Sequence, residues 1–140
     1  MSKVLIVTAN YYKDISNGLL QGASNILNEN NILFDSIEVP GCFEISLAIK
    51  HSMNTKIYSG YISLGCIIKG QTYHFEILSN ECIRSINSLV LEHNVPIGFG
   101  IITCNNIEEA KARSRLDEKN KGKEAASACM QMIKLLSSNS

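Results

Sequence analysis

The residues best able to do chemistry fall in four short segments, led by "LGCIIKGQTYHFE" over residues 64–76. There an apolar run ends in Lys69 and Gly70, and Gln71, Thr72 and His74 follow at once. Glycine lets a backbone come close to a ligand, and the free amides that open a following helix suit an anion such as phosphate. His74 falls in that first turn, where an imidazole can move a proton near neutral pH. A single histidine more often has a structural duty, but one beside a candidate anion site at a strand end is a fair catalytic suspect.

Each of the other three segments also has an ordinary explanation. "NYYKD" sets Tyr11 and Tyr12 just past an apolar run. One ring could pack on a helix, or be offered to a flat substrate, with stacking worth about 0.5–1.5 kcal/mol beyond area burial. In "VPGCFEI", Pro40 and Gly41 stop a strand, and Phe43 and Glu44 begin a helix whose dipole alone would favour an acid. "KARSRLDEKNKGKEA" places Lys111, Arg113, Arg115, Lys119, Lys121 and Lys123 among acids. Such runs are usually solvated surface, yet one Arg and one Lys recruited to phosphate or hydroxyls would look the same.

The elements that must position these residues follow from periodicity. β-branched and apolar runs predict strands over 4–9, 33–39, 61–68 and 97–103. Helical spacing links Ile15, Leu19, Ala23, Ile26 and Leu27, then Phe75, Leu78, Cys82, Ile86, Leu89 and Val90, and last Ala125, Ala128, Cys129, Met132, Ile133 and Leu136. Asn105, with Glu108 three residues on, predicts a capping box. Strand and helix alternate, and the near-continuous apolar runs of the first and third strands fit burial on both faces. The expected fold is α/β: a three-layer α/β/α sandwich with a four-stranded parallel sheet, flavodoxin-like, joined by right-handed crossovers. Ligands in such folds sit beyond the carboxyl ends of the strands, here just after residues 9, 39, 68 and 103.

At 140 residues the chain is expected to form one domain over 1–140. Thirteen basic residues balance thirteen acidic ones, which argues against nucleic acid or an anionic membrane surface as partner. The apolar run of "MSKVLIVTAN" is too short for a signal peptide or a membrane span, so a cytoplasmic protein is expected. Cys42, Cys66, Cys82, Cys104 and Cys129 are an odd set, expected to be small buried apolar side chains rather than disulfides. With His51, His74 and His93 scattered, no metal site is expected.

Taken together, "VPGCFEI", "LGCIIKGQTYHFE", "PIGFGIIT" and "NKGKEAA", in this order and at these separations, closely resemble lumazine synthase, from Lys3 to about Leu136. The resemblance implies a transferase of riboflavin biosynthesis that needs no cofactor. It would condense 5-amino-6-(D-ribitylamino)uracil with 3,4-dihydroxy-2-butanone 4-phosphate to 6,7-dimethyl-8-ribityllumazine, phosphate and water. It further implies that Tyr11 stacks on the pyrimidine and that Cys42, Phe43 and Glu44 hold the ribityl chain and ring. Main-chain groups around Cys66, Ile67 and Ile68 would hold the ring edge, and Gln71 and Thr72 would form the phosphate loop. His74 would transfer the proton, Phe99 would line the ring, Arg113 would bind phosphate and Lys121 would lie near the polar chain of the substrate.

A homo-oligomer is also expected. From Phe99 to Thr103 a strand runs roughly 13 Å, too far for Phe99 to reach the strand ends of its own chain. A neighbouring subunit could bring Phe99, Arg113 and Lys121 there, in keeping with the family's rings of five. The chain starts almost directly with strand one, and "SRLDEK" stands where relatives that form icosahedral shells have a glycine-rich turn, so an isolated pentamer is expected. The main alternative is a non-catalytic, phosphate-responsive doubly wound module such as a receiver domain. That class needs acids after strand one and an aspartate after strand three, and "TANYY" and "GCIIKG" contain none. A flavin-binding electron carrier would want a Ser/Thr-rich loop in place of "NYYKD". A purely structural shell protein would be separated from the enzyme by a turnover assay.

Overall fold

A computed structural model describes residues 3–70, 74–117 and 119–138. The chain runs β1 (Lys3–Ala9), α1 (Lys13–Glu29), β2 (Leu33–Val39), a 3-10 turn (Cys42–Glu44), α2 (Ile45–Ser52), a second 3-10 turn (Met53–Thr55) and β3 (Gly60–Ile68). It continues with α3 (His74–His93), β4 (Ile97–Cys104), α4 (Ile107–Ser114) and α5 (Lys121–Ser138). All four expected strands are present, each within a residue of its expected ends. They form one parallel sheet in the order β2-β1-β3-β4. The α/β three-layer fold read from periodicity is therefore the fold adopted.

Burial explains the strand order. β1 and β3 are covered on both faces, so "VLIVTA" and "YISLGCI" are buried throughout, whereas the edge strand β2 is mostly exposed. Val4, Ile6, Ile62, Leu64 and Cys66 pack under α1, α4 and α5, and Leu5, Val7, Tyr61 and Ile67 pack under α2 and α3. The alternation of neighbours between two faces is the period of two that a strand imposes.

Glycine sets the spacing where α5 meets β4. A Cβ on Gly98 would lie 2.1 Å from the carbonyl oxygen of Ala125, so only glycine admits the helix backbone this close. Two local expectations shift. Phe43 and Glu44 lie in a 3-10 turn, and the α-helix proper begins at Ile45. The cap of α4 is Asn106, not Asn105: its side chain accepts the Glu109 N–H at 2.9 Å, while Glu109 Oε1 accepts the Asn105 N–H at 3.0 Å. The box is displaced by one residue because two asparagines stand together, and the second has the extended backbone a cap requires.

Candidate active site

Strand order reverses between β1 and β3, whose connections leave in opposite directions, and a crevice opens at that point. A cleft of about 450 Å³ fills it, lined by residues after β1, after β2, at the end of β3 and on the first turns of α3. Tyr11 and Tyr12 form one wall, Cys42 and Phe43 another, Cys66, Ile67 and Ile68 the floor, and His74 the far side. His74 opens α3 with an exposed side chain.

Tyr11 stands 75% exposed, and its ring meets Tyr12 edge to face, with centroids 5.0 Å apart and planes at 78°. Tyr12 packs on the α1 side of the core, so a half-buried ring braces an exposed one. Beneath them, a Cβ on Gly65 would lie 2.6 Å from Cys42 Sγ, so glycine there admits the cysteine into the floor. Burial pushes the Cys42 and Cys66 thiols up to about 12, which leaves them protonated at neutral pH. These cysteines shape the floor rather than attack a substrate.

A second, shallower groove of about 350 Å³ lies along the outer edge of β4. Phe99, Gly100, Ile101, Ile102 and Thr103 line it, with Arg113 from α4 and Lys121 from the start of α5. Phe99 is 41% exposed because the sheet ends at β4. Arg113 Nη1 donates to the Thr103 carbonyl at 3.3 Å and meets Cys104 Sγ at 3.3 Å. Asn120 fixes both flanks: 2% exposed, it donates to the carbonyls of Ser114 and Gly18 at 2.8 and 2.9 Å and accepts the Lys123 N–H at 3.0 Å. A buried amide satisfied on both its nitrogen and its oxygen ties the end of α4 to the start of α5.

The candidate residues thus divide into two groups. Tyr11, Cys42, Phe43, Cys66, Ile67, Ile68 and His74 share the cleft, and Phe99, Arg113 and Lys121 share the groove. Glu44 does not line the cleft; its carboxylate lies beside Gly41 on the rim, 3.1 Å from where a Cβ would be. Gln71 and Thr72 lie outside the described residues. The sequence drew no site role for Tyr12, Ile77, Leu78 or Asn120. The doubled aromatic was a signal for Tyr12, and an apolar Ile77 off the buried face of α3 was one for an occupied wall. Among the described residues no three His, Cys, Asp or Glu side chains cluster as metal ligands would.

The family described as 6,7-dimethyl-8-ribityllumazine synthase matches residues 1–137. Curated relatives carrying that name include one from Bartonella tribocorum, 46% identical over 133 residues that cover 94% of this chain and 88% of the relative. One from Bartonella henselae is 46% identical over 134 residues, covering 94% and 86%. One from Agrobacterium fabrum is 43% identical over 142 residues, covering 96% of each.

Proposed function

This chain belongs to the 6,7-dimethyl-8-ribityllumazine synthase family, and from that premise we propose that the cleft and the β4 groove are two halves of one active site, brought together across adjacent subunits. The protein is a transferase of riboflavin biosynthesis. It condenses 5-amino-6-(D-ribitylamino)uracil with 3,4-dihydroxy-2-butanone 4-phosphate to 6,7-dimethyl-8-ribityllumazine, releasing phosphate and water.

The observation that carries the shared site is the separation of the two groups on one chain. A wall with an exposed aromatic and a histidine faces the crevice, while an exposed phenylalanine, an arginine and a lysine line an open sheet edge. Neither half alone offers both an acid–base group and a phosphate cation. The pyrimidine stacks on Tyr11, its ring edge lies against main-chain groups of Cys66, Ile67 and Ile68, and its ribityl chain runs to Cys42, Phe43 and Glu44. Phe99 of the neighbour closes over the ring, and Lys121 lies near the hydroxyls. Gln71 and Thr72 offer backbone amides to the phosphate, and Arg113 of the neighbour completes its cradle.

Amine and ketone condense to an imine with loss of water, phosphate departs to leave an enol that becomes a ketone, and the second amine closes the ring on that carbonyl with loss of a second water. Holding both reactants side by side supplies most of the acceleration, and His74, moving protons between nitrogen and oxygen, adds about 10²–10⁴-fold. The condensation uses no cofactor. The exposed apolar residues Leu47 and Leu91 on the α2/α3 side support burial against further copies. A ring of five is the assembly we favour over an icosahedral shell, because "SRLDEK" replaces the glycine-rich turn before "NKG". The five free cysteines suit the reducing cytoplasm.

Purified protein given both substrates in metal-free buffer should form a product with the absorbance band of a lumazine. Activity abolished by a chelator and restored by a divalent ion would contradict this chemistry.

A further inference from the structure

Arg113 has a charged neighbour with no part in the scheme above. Glu109, one helical turn earlier on α4, has Oε1 3.7 Å from Arg113 Nη1. That carboxylate is held from the other side: Oε1 accepts the Asn105 N–H at 3.0 Å and Oε2 accepts Asn105 Nδ2 at 3.3 Å. The Arg113 guanidinium is positioned by Thr103 and Cys104. At 3.7 Å, Glu109 is beyond a direct hydrogen bond, so it acts on Arg113 as a fixed charge rather than as a clamp. Among the described residues all Arg113 contacts use Nη1, which leaves Nη2 and Nε of the fork for an anion.

We propose that Glu109 tunes the phosphate subsite: anchored on Asn105, its carboxylate stays beside Arg113 and loosens that guanidinium's hold on phosphate, so that the released anion leaves. The inference rests on the assignment of Arg113 to phosphate. The two hydrogen bonds from Asn105 also hold the Glu109 carboxyl below its ordinary range, so it is charged throughout neutral pH. A like charge next to a bound anion weakens it in substrate and product alike, and in an enzyme whose product includes free phosphate that favours release over retention. Both side chains are partly exposed, at 42% and 35%, so water screens the effect to a modest size.

Inhibition by inorganic phosphate, competitive with the butanone phosphate, tests this on the assembled enzyme. Glu109→Gln keeps an oxygen for the Asn105 N–H at 3.0 Å, gives up the longer 3.3 Å bond from Asn105 Nδ2, and removes the charge. Its inhibition constant should fall about two- to fivefold at low ionic strength. The difference should close as salt is raised, and Glu109→Asp should stay near wild type. Damage to the fold weakens phosphate binding, whereas only loss of the charge tightens it. An unchanged or raised constant in Glu109→Gln, with Arg113→Ala still losing phosphate inhibition, overturns the role of Glu109 and leaves Arg113 in place. An unchanged constant in Arg113→Ala overturns both.

Discussion

At the scale of single residues, the two halves of the site should fail differently. His74→Ala should lower kcat by about 10²-fold or more while the aminouracil still binds, since the proposed part of the imidazole is proton transfer rather than binding of the ring. Arg113→Ala should instead raise KM for the butanone phosphate and weaken inhibition by inorganic phosphate. Steady-state kinetics with each substrate varied in turn separates the two, and wild-type constants in both variants would remove these residues from the site. The buried thiols make a further prediction: with Cys42 and Cys66 pushed up to about 12, iodoacetamide at pH 8 should leave both unlabelled in the native protein and label them after unfolding. Peptide mapping checks this, and rapid native labelling of either would contradict it. Tyr11 and His74 could be singled out in the sequence because they lie two and six residues past the ends of β1 and β3, and both line the cleft. Glu109 was not singled out, because its significance is a contact, a carboxylate beside Arg113.

At the scale of elements, the apolar runs of β1 and β3 located the sheet centre, since strands covered on both faces leave no alternation to misread. What periodicity could not show was which helix presses closest on which strand. That depends on Gly98, whose missing Cβ admits the backbone of α5 at Ala125. Gly98→Ala should force α5 outward and destabilise the protein by about 1–3 kcal/mol. Because Lys121 opens α5, substrate affinity should fall as well. Thermal unfolding and KM together test this, and an unchanged melting temperature would mean that α5 is free to shift. The cap of α4 teaches a smaller lesson: two adjacent asparagines read alike in sequence, and only backbone geometry selects Asn106.

At the scale of the whole molecule, one chain presents a cleft at the strand ends and a cationic groove on its open edge, and each lacks what the other has. The distance along β4 made contact between Phe99 and the cleft of its own chain an unfavourable expectation, and the two residue groups do line separate depressions, while the number of copies in the assembly depends on contacts that no single chain encodes locally. Light scattering at working concentration should give a particle of about five chains; a megadalton particle would establish a shell, and an active monomer would remove the shared site altogether. The most direct test mixes two crippled subunits. His74→Ala and Arg113→Ala, each nearly inactive alone, are unfolded, combined in equal amounts and refolded together. In a ring whose sites draw His74 from one subunit and Arg113 from the next, about a quarter of the sites regain both residues and activity returns. If both residues serve the site of their own chain, every subunit carries a defect, and a mixture no more active than its parents contradicts the shared site.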